Sequence, residues 1–226
     1  MQVWDARDGR EVQTLGTHTH GGEIRGVIFS RAGGLLASVS GDGVVNLWDA
    51  TRLDQKQPVR QFTDRAHVPG PFLNVAFSPD GRRLATGGEE NTVKIWDVPS
   101  RHELFGPGPF TQRPVTTSAA HTLAGHSGDV YTVAFSPDAE GRWVASAGED
   151  STVKFWDSRT GTLVHTFRGH TGVVTSIAFT ADGRWLVSGS RDHTVKVWDL
   201  TELDEVAGRQ RVQPTEKVPS SQGSGR

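Results

Sequence analysis

Two histidines near the N-terminus are the residues whose spacing first suggests chemistry. In the stretch THTH, His18 and His20 alternate along the chain and would lie on one side of an extended strand. Two imidazoles on one side of a strand can contribute to a zinc site, which needs further nitrogen, sulfur or carboxylate ligands. No cysteine or carboxylate cluster completes such a set, so we predict that these histidines do not bind a metal.

Motifs for catalysis and cofactor binding are also missing from the sequence. The chain contains no P-loop, no nucleophile elbow and no GxGxxG dinucleotide fingerprint. It has no cysteine, which excludes disulfides and thiolate metal sites and is typical of a reducing compartment. We therefore predict a cytoplasmic protein that is not an enzyme and needs no cofactor.

The charge and hydropathy of the chain argue against two classes of partner. Among 226 residues there are 24 Lys plus Arg and 26 Asp plus Glu, a net charge of -2. A chain without a basic excess lacks the field that attracts phosphate backbones, so nucleic acid is not expected. No stretch approaches the roughly 20 apolar residues of a membrane helix, and MQVWDARDGR lacks the apolar core of a signal peptide. We expect no membrane partner either.

A repeated unit organises most of the sequence. Five Trp-Asp endings occur, in QVWDA, NLWDA, KIWDV, KFWDS and KVWDL, with their tryptophans at Trp4, Trp48, Trp96, Trp156 and Trp198. Upstream of the last four, an apolar strand ends in phenylalanine, at Phe29, Phe77, Phe135 and Phe179. The turns that follow are SRAGG, SPDG, SPDAEG and TADG, in which Asp-Gly and Gly accept the positive φ of a tight hairpin. Each unit is therefore predicted to form strands a, b and c and a weaker strand d.

The strands are apolar on both sides, so both faces of each small sheet must be covered. Val133 and Phe135 would face one way and Ala134 the other, and none of the three is charged. A sheet that is buried on both faces needs a similar sheet on each side. Repeating that arrangement leads to a ring or a stack of sheets.

These repeats, with a histidine at the start of the unit and Trp-Asp at its end, resemble the WD-repeat β-propeller family over roughly residues 1–200. The resemblance implies an all-β fold of four full blades and an N-terminal part-blade, a partial propeller spanning residues 1–202. The implied boundaries are 1–16 for the part-blade, 17–63, 64–124, 125–167 and 168–200 for the blades, and 203–226 for a disordered tail.

The family's buried hydrogen-bonded set of His, Ser or Thr, Asp and Trp can be carried over repeat by repeat as a structural clamp. The implied sets are His20, Ser38, Asp42 and Trp48; His67, Thr86, Glu90 and Trp96; His126, Ser146, Asp150 and Trp156; and His170, Ser188, Asp192 and Trp198. The second set departs from the pattern, because Glu90 replaces Asp and His67 lies one residue further from its phenylalanine. We expect a different geometry there.

The two ends and one long insertion leave alternatives open. Either the chain is the C-terminal part of a longer, bacterial-type repeat protein, or REVQTL supplies the outer strand of the last blade and closes a four-bladed ring. Residues 98–118 are predicted to form an exposed loop, which is either a tolerated insertion or a docking loop carrying FGPGPF. Open end blades would also allow self-association.

The resemblance implies a protein-interaction scaffold that binds proteins or peptides on the face where the a strands begin. Alignment places these residues on that face: Glu23, Arg25, Leu73, Glu89, Asp129, Tyr131, Glu149, Thr175 and Arg191. Mixed charges around one aromatic suit an interface, and they equally suit an ordinary solvated rim. An alternative is a regulatory or docking propeller of a larger enzyme, such as a protein kinase whose catalytic domain lies upstream.

Overall fold

The protein is built of small antiparallel sheets that follow one another along the chain. The computed structural model describes residues 1–16, 22–52, 57–63, 72–105, 118–201 and 203. The first sheet, the part-sheet, contains β1 (Gln2–Trp4) and β2 (Glu11–Thr14). Sheet A contains β3 (Ile24–Phe29), β4 (Leu35–Ser40), β5 (Val44–Asp49) and β6 (Arg60–Thr63).

Three further sheets repeat the plan of sheet A. Sheet B contains β7 (Phe72–Phe77), β8 (Arg83–Gly88), β9 (Thr92–Asp97) and β10 (His121–Ala124). Sheet C contains β11 (Val130–Phe135), β12 (Trp143–Gly148), β13 (Val153–Asp157) and β14 (Leu163–Phe167). Sheet D contains β15 (Val174–Phe179), β16 (Trp185–Ser190) and β17 (Val195–Asp199). The prediction of an all-β fold is confirmed.

The turn between the first two strands of each sheet explains why the hairpins form where the sequence places them. In sheet B, Gly81 adopts a φ of 70°, which only glycine reaches without strain. The Ser78 hydroxyl donates to Asp80 at 2.6 Å and accepts from the backbone N–H of Arg83 at 2.9 Å. These side-chain bonds satisfy polar groups that the tight turn would otherwise leave unpaired.

The core lies between the sheets, which pack face to face in chain order. Phe62 of sheet A packs with Phe72 and Trp96 of sheet B, and Phe155 of sheet C packs with Phe179 of sheet D. The row of sheets is not closed into a ring among the residues that the structure describes. Inner sheets therefore bury both faces, and the two end sheets do not.

Apolar side chains remain exposed at both ends of the row. Val195 and Val197 of sheet D are 70% and 59% exposed, although the equivalent Val153 and Phe155 of sheet C are fully buried beneath sheet D. At the other end, Phe29 of sheet A is 54% exposed because the part-sheet has only two strands and leaves β3 uncovered. The positions that are exposed at the two ends are therefore equivalent to positions that inner sheets bury against their neighbours.

The structure differs from two interpretations of loops and edges made from the sequence. The segment 98–118, predicted as a loop, contains a short helix, α1 (Arg101–Phe105), whose first turn is capped reciprocally by Ser100 and Glu103. Strand β2, which carries most of REVQTL, pairs with β1, so its assignment as the outer strand of the last blade is wrong. Sheet D has three strands among the described residues, and the weaker strand d predicted for its repeat falls mostly on residues outside them. Of FGPGPF, only Phe105 is described, and residues 204–226 lie outside the described residues.

No helix within the described part of the chain is long and apolar enough to span a membrane.

Candidate functional site

A chain of buried hydrogen bonds runs through sheet C. The Trp156 indole N–H donates to Ser146 Oγ at 2.8 Å, and the Ser146 hydroxyl contacts Nε2 of His126 at 2.8 Å. Nδ1 of His126 lies 2.9 Å from Asp150 Oδ2. With the proton on Nδ1, the imidazole donates to Asp150 and accepts from Ser146, so every polar group of the set has a partner.

Sheet D repeats this arrangement. Trp198 donates to Ser188 at 2.9 Å, and His170 lies 2.8 Å from both Ser188 Oγ and Asp192 Oδ2. The hydroxyl of Thr194 donates to Asp192 at 2.6 Å, and this bond holds the pKa of that carboxyl well below its usual range. Asp192 is therefore an ionised acceptor at neutral pH.

The environment sets the protonation state of the set in sheet C. Burial lowers the pKa of His126 and outweighs the opposing attraction of Asp150, so the imidazole is neutral at neutral pH. Burial acts to raise the pKa of Asp150, but His126 and hydrogen bonds from Thr152 and Ser127 outweigh it and keep that pKa below its usual range. A neutral imidazole against an ionised carboxylate is the result.

Sheets A and B keep only part of the set within the described residues. Trp48 donates to Ser38 and Trp96 donates to Thr86, each at 3.0 Å. Asp42 accepts a short hydrogen bond from Ser40, two residues away. His20 and His67 lie outside the described residues.

In sheet B, the glutamate at the acidic position of the set forms an ion pair. Glu90 lies 2.7 Å from Nζ of Lys94, whose side chain is only 3% exposed. The longer glutamate side chain reaches this lysine from the turn that precedes β9. The charge of the buried Lys94 is thus paired.

The serine hydroxyls of these sets are unsuited to attack a substrate. Ser146 and Ser188 are 0% and 1% exposed, and each already accepts the indole N–H of its sheet. A catalytic nucleophile must be reachable and hydrogen-bonded to a base that can take its proton. The sets instead join the start of strand a, strand b and strand c within one sheet.

The residues predicted to bind a partner lie along one edge of the sheets. They flank the start of the a strands or follow the end of the b strands. Most are exposed, while Leu73, Asp129 and Tyr131 are half-buried. Glu23 and Arg25 form an ion pair at 3.1 Å on sheet A, and Thr175 donates to the carbonyl of Gly189 at 3.4 Å on sheet D.

Three carboxylates converge between sheets B and C. Burial raises the pKa of Asp129, and the negative charges of Glu149 and Glu89 raise it further. Glu149 also accepts a hydrogen bond from the backbone N–H of Asp129 at 3.3 Å. This acidic group, defined as Glu89, Asp129 and Glu149, concentrates negative charge at one place on the edge.

An aromatic and a cation meet between sheets C and D. The guanidinium carbon of Arg191 lies 5.8 Å from the centre of the Tyr131 ring, within the range of a cation–π contact. The backbone N–H of Arg191 donates to the carbonyl of Val173 at 2.8 Å, which fixes the turn that carries it. The acidic group and the Tyr131–Arg191 pair are adjacent because Asp129 and Tyr131 are two residues apart.

Sequence reasoning missed several residues that complete these sites. The hydroxyls of Thr152 and Thr194 bind the acidic residue two positions earlier, at 2.8 and 2.6 Å. The spacing Asp-x-Thr, repeated in EDST and RDHT, was the available signal. Lys94 gave no signal, because equivalent positions carry Lys154 and Lys196 and nothing marks one lysine as the partner of Glu90.

The structure provides no candidate metal centre in the ranges it describes, where no three His, Cys, Asp or Glu side chains are grouped closely enough to hold an ion. The candidate pair His18 and His20 falls outside those ranges.

Comparison with known proteins gives the family. The model of the WD domain, G-beta repeat, matches four stretches, residues 9–49, 56–97, 117–157 and 161–199. Each matched stretch ends at or next to the aspartate of a Trp-Asp pair.

A curated relative shows the same repeat. Protein groucho of Drosophila melanogaster is 32% identical over 176 residues, which cover 78% of this chain and 21% of the relative. The match spans about a fifth of that protein. The repeats, the sheets that they form and the four matched stretches together show that the chain belongs to the WD-repeat family.

Proposed function

We propose that this protein is a non-catalytic scaffold that binds protein or peptide partners through the edge of sheets A to D that carries Arg25, Tyr131 and Arg191. The WD-repeat family and the groucho relative support a protein-interaction role in general. The single observation that supports this edge as the binding surface is the position of the acidic group beside the Tyr131–Arg191 pair.

The chemistry of this edge is that of an interface centre. Tyrosine and arginine are the residue types that most often dominate binding energy, and here they lie together at the junction of two sheets. Their position on strand ends and tight turns holds them with little conformational freedom, which reduces the entropic cost of binding. The flanking carboxylates supply charge that favours a partner with basic side chains.

The proposal is tested by pull-down with quantitative mass spectrometry. In one variant, Arg25, Tyr131 and Arg191 are changed to alanine. In a matched control, three exposed arginines in the turns at the opposite edge, Arg31, Arg82 and Arg184, are changed to alanine. We expect partners to be lost from the first variant and retained by the control.

Two results would overturn the proposal. One is capture of the same partners in equal amounts by both variants, which would show that this edge is not the binding surface. The other is survival of every partner in the first variant together with loss of all partners when residues 203–226 are deleted, which makes the tail the binding element.

We further propose self-association through the end sheets, which the exposed Val195, Val197 and Phe29 support.

We also propose the cytoplasm as the location of the protein. The absence of cysteine in the sequence supports a reducing compartment of this kind.

A further inference from the structure

One position of the repeat changes its chemistry in sheet B. The first residue of strand b is Leu35, Arg83, Trp143 and Trp185 in sheets A to D, and each pairs across the sheet with the aspartate of Trp-Asp. Leu35 packs into the core between sheets A and B, and Trp143 is buried between sheets C and D. Arg83 occupies the same place between sheets B and C.

Polar groups of sheet C hold the guanidinium of Arg83. Nη1 donates to the hydroxyl oxygen of Ser158 at 2.8 Å, and Nη2 donates to the carbonyl of Glu140 at 2.8 Å. Ser158 is fully buried, and its oxygen lies 2.7 Å from the carbonyl oxygen of Gly141, so the contact is fixed on the side of sheet C. Two of the five guanidinium N–H groups are used here, which leaves three for another acceptor.

A cavity lies beside this guanidinium, where a tryptophan fills the next interface. It has a volume of about 300 Å³ and is lined by Arg83, Asp97, Ala120, His121, Ser158 and Arg159. Within the described part of the chain, the side chains of Arg159, His121 and Asp97 have no hydrogen-bond or ion-pair partner. His121 is closely packed against Gly161, where a Cβ would lie 3.3 Å from Nδ1 of the imidazole.

We propose that this cavity is a second binding site, which takes the carboxylate of an acidic side chain from a peptide partner. This cavity is separate from the edge proposed above as the partner-binding surface. Arg83 begins β8 and Glu89 follows the other end of that strand, so the two sites lie at opposite edges of sheet B. The fixed guanidinium is pre-organised for a carboxylate oxygen, and Arg159 faces the same cavity from sheet C.

The balance of charge selects a singly charged anion. The two arginines and one aspartate that line the cavity together carry one net positive charge. A bound carboxylate brings the net charge of the cavity to zero. A doubly charged phosphate would leave one excess negative charge, which the Asp97 carboxylate would repel. His121 can donate or accept a hydrogen bond to the peptide backbone that carries the side chain.

The test is a titration of the whole chain followed by NMR. The probe is N-acetyl-Gly-Glu-Gly-amide, with the matched glutamine and phosphoserine peptides as comparisons, and the reporter is the His121 ring signal, assigned by its loss in His121→Gln. We expect a saturable shift with the glutamate peptide and binding at least about tenfold weaker with the glutamine peptide, because its amide carries no charge.

Three variants separate this site from general charge effects. Arg83→Trp introduces the residue of sheets C and D and should fill the cavity without unfolding the protein, and Arg159→Ala leaves the bonds of Arg83 intact. Both should weaken binding at least about tenfold, since each removes a cation that faces the carboxylate. Arg82→Ala, an exposed neighbour, should bind like the parent. Four results would each overturn the proposal. They are equal shifts with the glutamate and glutamine peptides, unchanged binding in Arg83→Trp and Arg159→Ala, an equal loss of binding in Arg82→Ala, and tighter binding of the phosphoserine peptide.

Discussion

At the scale of single residues, the indole N–H of Trp156 is the donor on which the set in sheet C depends. Trp156 is 1% exposed and Ser146 is fully buried, so a lost bond cannot be replaced by bulk water. We predict that Trp156→Phe lowers the free energy of unfolding by about 1–3 kcal/mol, the cost of an unsatisfied buried polar group. Urea unfolding of the variant and the parent measures this difference in the free energy of unfolding.

The matched control is Trp4→Phe. Trp4 is 54% exposed, so its loss should change the free energy of unfolding by less than about 0.5 kcal/mol. A Trp156→Phe unfolding curve that overlays the parent would show that the set contributes nothing to stability.

The neutral state of His126 predicts how stability depends on pH. Burial lowers its pKa in the folded protein, so below the ordinary histidine pKa of about 6.5 the unfolded chain binds a proton that the folded protein resists. Stability contributed by the neutral imidazole is therefore present above that pH and is lost as the pH falls. We predict a lower free energy of unfolding at about pH 5 than at about pH 7.5.

His126→Gln removes this titration and serves as the comparison. Its free energy of unfolding should fall less than that of the parent between the same two pH values, whatever its absolute stability. An identical fall in parent and variant would show that other groups cause the dependence.

At the scale of the elements, the close approach of β11 to the end of β12 limits what the hairpin of sheet C accepts. Gly148 ends β12, and a Cβ there would lie 1.8 Å from the carbonyl oxygen of Asp129, which no side-chain rotation can relieve. We predict that Gly148→Ala costs about 2 kcal/mol of stability, within the usual cost of overpacking. Thermal or urea unfolding checks it.

Gly189→Ala in β16 provides the control in sheet D. The nearest atom to a Cβ at that position is Ser176 Oγ at 3.9 Å, so the methyl group fits. We expect stability within about 1 kcal/mol of the parent or slightly above it, because alanine also reduces the freedom of the unfolded chain. Similar losses in both variants would refute the steric explanation.

At the scale of the whole molecule, sheet D and strand β3 of sheet A leave exposed apolar positions that pack together between inner sheets. Val197 of sheet D corresponds to Phe155, which packs on Phe179, and Phe29 of sheet A corresponds to Phe179. The part-sheet covers Leu36 and Trp48 of sheet A but not Phe29, so sheet D and the exposed part of sheet A each present positions of the contact that an inner pair of sheets makes. A contact of this kind between molecules is head-to-tail.

We predict concentration-dependent association of the parent in sedimentation velocity, and monomers for Val197→Asp or Phe29→Asp alone. An equimolar mixture of the two variants should form dimers, because each still has one intact end. Leu163→Ser, which changes an exposed leucine of strand β14, should associate like the parent. A parent that stays monomeric, or a mixture that does not associate, would rule out this mode of contact.

Local features of this protein follow from the sequence alone. The hairpin strands, the left-handed glycine in turns such as that at Gly81, and the Trp-Asp endings depend on residues close together in the chain. The repeat also indicates which His, Ser, Asp and Trp to group, because every member recurs at a similar distance from the same anchors. The helix at Arg101–Phe105 was missed although Ser100 and Glu103 form a capping box, because Pro and Gly dominate the surrounding segment.

The tertiary structure decides which side chains meet across sheets. The acidic group joins residues of sheets B and C, Arg191 reaches Tyr131 from sheet D, and Arg83 reaches Ser158 across 75 positions of sequence. No local propensity encodes these contacts, because they depend on how far one sheet is displaced and rotated against the next. The tertiary structure also decides which apolar positions are exposed at the ends. A valine that is buried in one sheet is exposed in another because no further sheet among the described residues covers it.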